Sequence, residues 1–386
     1  MREVFLVEAA RTPVGRRNGK LKDIHAIDLA ARALKAVVDR SGVDPAQVED
    51  VVMGCVMQVG EQALNIGRTA WLHAGYPVET PATTVDRQCG SGQQALHFAA
   101  NLVQAGVCDL VIAAGVESMT RVPMGSTARV EGVGKPSTSE IKKRFHLVPQ
   151  GISAEMIAEK WGITREECDE FAYESHMKAA RATQQGLFDR EMIPMEIQAE
   201  DGTTEVFALD EGIRPDTSLE ALATLKPAFM EGGIVTAGNS SQISDGAAAV
   251  MPASEDKVNE LGLEPKARIV AQAVVGVDPV LMLTGPIPAT DKVLEKAGLR
   301  LEDIDLIEIN EAFATVVLAW KREHNPDMSK VNVKGGAIAI GHPLGSTGAR
   351  LATTLVYSLQ ESGGRYGLET MCCGGGLGTA TIFERV

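Results

Sequence analysis

Two stretches of the chain decide its fold: QCGSGQQALHFAANLVQAG at residues 88–106 and GHPLGSTGARLATTLVYSLQESGG at residues 341–364. Each stretch places a glycine-rich turn directly before a helix with one apolar face, and a further apolar strand follows each helix. The same order of elements at two distant places in one chain indicates an internal duplication of a single α/β unit.

The segments that flank these stretches alternate strands and helices in the same way. In the N-terminal part, apolar runs predict strands at 4–7, 83–85 and 110–114, a helix end leading into a strand at 48–54, and helices at 27–38 and 92–105. In the C-terminal part they predict strands at 304–309, 336–340, 367–372 and 379–384 and helices at 313–320 and 347–360. We therefore expect an α/β fold built around a largely buried sheet.

The segment between the two parts, from 119 to about 240, is rich in Ser, Thr, Gly, Pro and charged residues. It contains predicted helices at 153–160 and 165–185, and the second opens with Thr164 and Glu167 in the spacing of a capping box. Residues 121–146 carry six Lys and Arg against two acids, a net charge of +4 in an acidic protein. This basic segment is either an ordinary solvated loop or a lid that meets a polyphosphate ligand.

Charge and composition exclude several classes of partner. The net charge of −14 disfavours binding to nucleic acid or to anionic membranes. No apolar run reaches the roughly 18 residues that span a bilayer, and no targeting signal is recognisable, so we expect a cytoplasmic protein. The six cysteines form no CxxC pair and are too few for a disulfide framework, which leaves buried thiols or catalysis as their roles.

Cys89 lies between a predicted strand and the start of a helix. Because a helix start carries about half a positive charge and free N–H donors, this position predicts a lowered thiol pKa and a nucleophilic thiolate. A structural cysteine flanked by glycines for packing fits the same residues equally well.

The same turn also matches a dinucleotide fingerprint, G-x-G-x-x-A, at Gly90, Gly92 and Ala95. Glu117, after the next strand, is then the candidate ligand of a ribose, and the protein would be an oxidoreductase. The acidic residue follows the first glycine by 117 − 90 = 27 positions, where about 20 is usual. This interpretation also leaves three C-terminal motifs unexplained.

Those three motifs place polar side chains at predicted strand ends, where α/β sheets gather ligands. They are NEAFA at 310–314, GAIAIGHPLGSTG at 336–348 and CCGGG at 372–376. If the two halves pack as the duplication suggests, Cys89 and His342 occupy equivalent turns and face each other.

The motifs VDRQCGSG, VTAGNSSQISDGAAA, NEAFA, GHPLGSTGAR and CCGGG together resemble the signatures of the thiolase family, and the similarity runs from end to end. The resemblance implies two similar α/β halves stacked as five layers (αβαβα) with an inserted loop domain. The halves would be 1–118, completed by 241–265, and 266–386, with the loop domain at 119–240. It further implies acyl-CoA and CoA as substrates, no other cofactor or metal, and a homodimer or homotetramer.

The resemblance also implies roles for individual residues. Cys89 would be the acylated nucleophile, activated by His342, while Asn310 positions a water beside His342 in one oxyanion hole. Cys372 would be the second acid and base, and the backbone N–H groups of Cys89 and Gly374 would form the second oxyanion hole. The residues expected to bind CoA or the acyl chain are Arg214, Phe229, Ala237, Ser241, Met282, Ala312 and Phe313.

One departure from the family pattern bears on the substrate. Biosynthetic, acetoacetyl-specific members typically carry a His-Met pair where this chain has Pro149-Gln150 before Gly151. The departure favours a degradative 3-ketoacyl-CoA thiolase, and GEQALNIGRTAWLHAG at 60–75 resembles bacterial members that act on bulky or steroid side chains. A biosynthetic acetoacetyl-CoA thiolase and a catalytically silent acyl-CoA-binding homologue are the alternatives.

Overall fold

The computed structural model describes residues 2–198 and 202–386. Its strands are β1 (Val4–Arg11), β2 (Gly15–Arg16), β3 (Asp50–Gly54), β4 (Ala82–Val85), β5 (Val111–Ser118), β6 (Met195–Gln198), β7 (Thr204–Phe207), β8 (Ser244–Ser254), β9 (Ala267–Gly276), β10 (Leu306–Ile309), β11 (Tyr366–Cys373) and β12 (Leu377–Arg385). Its helices are α1 (Ala26–Ser41), α2 (Ile66–His73), α3 (Ser91–Gln104), α4 (Ser139–Arg144), α5 (Gln150–Trp161), α6 (Arg165–Gln184), α7 (Leu219–Ala223), α8 (Glu255–Leu261), α9 (Pro286–Ala297), α10 (Ala314–His324) and α11 (Thr347–Ser362).

The pairing of the strands confirms the duplication. The large sheet runs β10-β11-β12-β9-β1-β8-β5-β3-β4. On one side β1, β8 and β5 pair antiparallel and β5 pairs parallel with β3. On the other side β9, β12 and β11 pair antiparallel and β11 pairs parallel with β10. A short antiparallel contact between β1 and β9, at Phe5 and Leu6, joins the two halves.

The three largest apolar cores lie between the five layers, and the middle one spans both sides of the central helices. One core packs α1 and α2 on the outer face of the N-terminal half, and another packs α9 and α10 on the outer face of the C-terminal half. The third contains residues of α3 and α11 together with strand residues from both halves, such as Val4 and Phe383. The two central helices are therefore enclosed by sheet on both sides, which confirms the αβαβα arrangement.

The backbones of the two glycine-rich turns are in direct contact where the central helices α3 and α11 begin. A methyl group added to Gly348 would come within 2.1 Å of the Gln93 nitrogen, and one added to Gly92 within 2.8 Å of the Ala349 nitrogen. One added to Gly345 would lie 2.5 Å from the carbonyl oxygen of Val116. Since real side chains do not fit such distances, only glycine permits the two turns to approach this closely.

The predicted strand at 336–340 is wrong, because this buried segment forms turns. Its backbone groups bond within the turns, as the Ile340 N–H does to the carbonyl of Gly336 at 2.8 Å, and to side chains. The carboxylate of Glu311 accepts the N–H of Ile338 at 3.1 Å, and Nε2 of Gln242 donates to the carbonyls of Ile338 and Ala339 at 2.8 and 3.1 Å. The other predicted strands and helices are present, with ends shifted by a few residues.

The segment 119–240 carries α4 to α7 and the β6–β7 pair, although residues 199–201 lie outside the described part of the chain. The predicted capping box at Thr164 and Glu167 is present. Buried Arg11 ties this segment to β1, because it donates to Glu191 at 2.5 Å and to Asp210 at 2.7 Å. The division of the chain into three domains stays a prediction. Within the described residues, no helix combines the length and apolarity that a membrane crossing requires.

Replacing Gly348 by alanine should destabilise the protein by about 1–3 kcal/mol, the usual cost of overpacking a tight interior. Urea unfolding followed by circular dichroism measures the change. Gly134→Ala is the matched control, because a methyl group there meets no atom within 4 Å, and it should shift stability by less than about 0.5 kcal/mol. Equal unfolding midpoints for the two variants would contradict the close approach.

Candidate active site

Cys89 lies in the turn between β4 and α3, with 3% of its surface exposed. The preceding residue, Gln88, adopts a left-handed backbone conformation with φ of 51°. The carboxylate of Asp86 holds this conformation by accepting the N–H of Gln88 at 2.6 Å. The backbone N–H groups of Gly374 and of Cys89 itself favour the thiolate of Cys89 and so lower its pKa.

The structure corrects the expected lowering of the Cys89 pKa. Burial raises the pKa of this thiol to about 11, and the charges of Glu117 and Asp86 also raise it, whereas the N–H groups of Gly374 and Cys89 lower it. The start of α3 does not compensate, because desolvation of a thiolate is the largest effect in a fully enclosed site. The thiol is therefore protonated at neutral pH and needs a base before it reacts.

The two cysteines that end β11 point to opposite faces of the sheet. Cys372 is fully buried and belongs to the same apolar core as Met282 and Phe313. Burial raises its pKa, and the charge of Cys89 raises it further. Cys373 instead packs on Gly90, where an added methyl group would lie 2.6 Å from its sulfur atom.

His342 is neutral and its tautomer is defined by Thr347. The Thr347 hydroxyl donates to the carbonyl of Pro343 at 2.9 Å, so its oxygen accepts the hydrogen bond that Nδ1–H of His342 donates at 2.6 Å. Burial and the charge of Arg350 together lower the His342 pKa to about 3. Nε2 therefore carries the lone pair of the ring, and it faces the amide of Asn310. Thr347 stands five residues after His342 in the same motif, but the motif alone did not identify it as a partner of the imidazole.

Asn310 lies beside His342 at the end of β10. Its Nδ2 is 3.4 Å from Nε2 of His342, and its backbone N–H donates to Thr370 of β11 at 3.1 Å. Its Oδ1 is buried and has no hydrogen-bond partner among the residues described. The parallel strands β10 and β11 thus bring Asn310 and Cys372 to the same edge of the sheet.

Glu117 does not serve as a ribose ligand, so the dinucleotide interpretation is wrong. Its carboxylate is fully buried and accepts N–H groups from Val56 at 3.0 Å, Met57 at 3.0 Å and Gly345 at 2.9 Å, together with Nε2 of Gln62 at 2.7 Å. All four of these hydrogen bonds come from groups of the protein itself. It ties the loop after β3 to the turn that carries His342, and so fixes the two halves around the site.

Most of the residues predicted to bind CoA or the acyl chain lie together. The backbone N–H of Ser241 donates to Ala312 at 2.9 Å, and the rings of Phe229 and Phe313 meet edge to face at 5.9 Å. Met282 packs in the same core as Phe313 and Cys372. Ala312 belongs to this core as well, and with Phe229 these residues form an apolar wall on the side of Cys372.

Arg214 and Ala237 are exposed and lie outside that wall. The backbone N–H of Arg214 donates at 3.1 Å to Nδ1 of His176, whose pKa burial lowers to about 4. In the basic segment 121–146, Arg121 forms an ion pair with Glu61, so this cation stabilises the fold. The exposed residues Lys142 and Arg144 lie in α4.

Comparison with known proteins gives a consistent result. Two family models, "Thiolase, N-terminal domain" and "Thiolase, C-terminal domain", match residues 4–256 and 263–385. A steroid 3-ketoacyl-CoA thiolase of Mycobacterium tuberculosis is 49% identical over 100% of this chain and 95% of its own length. The Bacillus anthracis acetyl-CoA acetyltransferase structure aligns with a TM-score of 0.92 at 41% identity, covering 100% of this chain and 99% of that one. Human mitochondrial 3-ketoacyl-CoA thiolase in complex with CoA aligns with a TM-score of 0.91 at 40% identity, covering 100% and 98%.

Alkylation of Cys89 by iodoacetamide should keep accelerating as the pH rises through about 8, because only the thiolate reacts and burial raises the pKa to about 11. Mass spectrometry of the Cys89 peptide after quenching measures the rate at each pH, with N-acetylcysteine as the reference thiol. A rate for Cys89 that reaches its plateau below pH 7 would show a stable thiolate and contradict this account.

Proposed function

The chain belongs to the thiolase family, and we propose that it cleaves 3-ketoacyl-CoA with CoA to acetyl-CoA and a shortened acyl-CoA through an acyl-Cys89 intermediate. The observation that carries the proposal is the contact between the Cys89 turn and the end of β11: a methyl group on Gly90 would lie 2.6 Å from the Cys373 sulfur, and one on Gly374 would lie 3.4 Å from Oε1 of Gln88. This contact places Cys89 next to the segment that carries Cys372. A retro-Claisen reaction needs this set: a nucleophile, an acid for the departing carbanion, and donors for the oxyanions.

In the first half-reaction Sγ of Cys89 bonds to the ketone carbon while Nε2 of His342 accepts the thiol proton. The ketone oxygen becomes an oxyanion, which the N–H groups of Cys89 and Gly374 stabilise. The bond between C2 and C3 then breaks, and its electron pair forms the enolate of acetyl-CoA. Cys372 protonates the C2 carbon of this enolate, and the acyl group remains on Cys89.

The enolate oxygen is stabilised on the opposite side by His342, which now carries a proton on Nε2, and by a water that Asn310 positions. The buried and unpartnered Oδ1 of Asn310 supports this role, because a buried acceptor gains most from a bound donor. Thr347 fixes the imidazole so that Nε2 first accepts the thiol proton and then donates a hydrogen bond.

The second half-reaction returns both thiols to their starting state. The Cys372 thiolate takes the proton of the CoA thiol, and the CoA sulfur attacks the carbonyl carbon of acyl-Cys89. The same two N–H groups stabilise the second tetrahedral intermediate. Cys89 leaves as a thiolate and recovers its proton from His342, which releases the shortened acyl-CoA.

The apolar wall formed by Phe229, Met282, Ala312 and Phe313 is assigned to the acyl chain and the pantetheine arm, with Ser241 and Ala237 beside the arm and Arg214 near the adenine. CoA is a substrate here, and no further cofactor or metal is required by the steps above. A cytoplasmic location and a homodimeric or homotetrameric assembly remain predictions.

The degradative direction is favoured over acetoacetyl-CoA synthesis by Pro149-Gln150, which replaces the His-Met pair of biosynthetic members, and by the similarity to a steroid 3-ketoacyl-CoA thiolase. We place the reaction in the breakdown of fatty acyl or steroid side chains.

Cys89→Ala should abolish acetyl-CoA formation from 3-oxooctanoyl-CoA and CoA, because Cys89 is the proposed carrier of the acyl chain. Loss of the ketoacyl enolate absorbance measures the reaction. Cys108→Ala serves as the control, since Cys108 precedes β5 at the opposite end of the sheet, and it should retain activity. Substantial turnover by Cys89→Ala would refute the assignment, whereas no turnover by the unaltered protein would leave a silent acyl-CoA-binding homologue.

Asn310→Ala should lower kcat roughly 10²–10³-fold, the usual effect of removing an oxyanion-hole group. Steady-state thiolysis measures kcat, and thermal unfolding of the variant checks that its fold is intact. Turnover close to that of the unaltered protein, with an intact fold, would remove Asn310 from the mechanism.

A further inference from the structure

The side chain of Gln150 lies over the oxyanion-hole glycine. Gln150 is the first residue of α5, and a methyl group added to Gly374 would come within 3.0 Å of its Nε2. The same methyl group would lie 3.4 Å from Oε1 of Gln88. Because Gln88 directly precedes Cys89 and both amides meet at Gly374, two neutral amides border the place where an acyl group would bond to the Cys89 sulfur.

Packing fixes Gln150 at the boundary of the apolar wall. The ring of Phe229 lies directly on the next residue, Gly151, where an added methyl group would be 2.1 Å from a ring carbon. Glu155, one turn later in α5, accepts the N–H groups of Ile234 and Val235, each at 2.9 Å. These bonds tie the loop that carries Phe229 to α5. They therefore fix the position of the Phe229 ring relative to the Gln150 amide.

The side-chain amides of Gln150 and Gln88 leave most of their hydrogen-bonding groups without a partner among the described residues. Within residues 2–198 and 202–386 the Gln150 side chain forms no hydrogen bond, and Gln88 donates through Nε2 to Asp86 while its Oε1 accepts none. A purely alkyl chain in this position would displace water from both amides without forming hydrogen bonds to them, which is unfavourable. A chain with a polar atom would satisfy them.

The charge of the surroundings selects the kind of polar atom. A glutamine amide is neutral and matches a carbonyl or hydroxyl oxygen, to which its N–H groups donate. The carboxyl group of Asp86, which Gln88 contacts directly, would repel a carboxylate. The local chemistry thus fits a neutral oxygen better than an anionic one.

We propose that Gln150, assisted by Gln88, makes this enzyme selective for 3-ketoacyl-CoAs whose acyl chain carries a second neutral oxygen, a keto or hydroxyl group, beyond the reacting ketone. The inference rests on the proposed thiolase reaction and names the substrate class of the same site. A methionine at this position, as in biosynthetic members, offers only apolar contact, so the glutamine marks a change in the chain that is recognised.

The test compares kcat/KM for thiolysis of 3-oxooctanoyl-CoA with that of its 6-oxo and 7-oxo derivatives. The unaltered protein should favour at least one dioxo substrate by about 10-fold, the value of one good hydrogen bond. In Gln150→Met, which keeps the side-chain length and removes the amide, the ratio should fall toward one. Gln184→Met, on the exposed surface of α6, is the matched control and should keep the ratio of the unaltered protein.

Three outcomes overturn the inference. Equal kcat/KM for the alkyl and dioxo substrates would show that the amides recognise no chain oxygen. A dioxo preference that survives in Gln150→Met would assign it to other residues. A still higher kcat/KM for 3-oxoadipyl-CoA would show that the site accepts an anion. In each of these cases thiolysis itself proceeds, whereas failure of all these substrates with the unaltered protein would overturn the proposed function as well.

Discussion

The structure depends on the direct contact between the backbones of two glycine-rich turns, one at the start of α3 and one at the start of α11. Any side chain at Gly92, Gly345 or Gly348 would push the central helices apart. Because Cys89 and His342 lie a few residues before these helices, the contact brings the two halves of the duplicated fold together at the site. The buried carboxylate of Glu117 secures the same junction by bonding to Gly345 of the partner turn.

A second constraint follows from burial, which holds the reacting groups in their neutral forms. It raises the pKa of Cys89 and of Cys372 and lowers that of His342. In the proposed reaction these groups start neutral, and negative charge develops only when the substrate provides an oxygen to receive it. The N–H groups of Cys89 and Gly374 are the proposed donors for that oxygen.

The sequence was sufficient for the duplicated α/β architecture, because glycine turns, apolar helix faces and buried strands are local patterns. It was also sufficient to bring Cys372, His342 and Asn310 to strand ends and turns of one sheet. The sequence did not predict the features that depend on tertiary contacts. The segment 336–340 resembles a strand, but the side chains of Glu311 and Gln242 satisfy its backbone. Position at a helix start suggested a thiolate at Cys89, but the depth of burial cannot be read from the motif. The catalytic roles and the domain boundaries remain predictions.

The most direct test of the account is a single turnover without free CoA. On mixing the protein with 3-oxooctanoyl-CoA and quenching, we expect one equivalent of acetyl-CoA and one hexanoyl group per chain, located on Cys89 by peptide mass spectrometry. An acyl group on any other residue, or release of acetyl-CoA with no covalent adduct, would contradict the proposed mechanism.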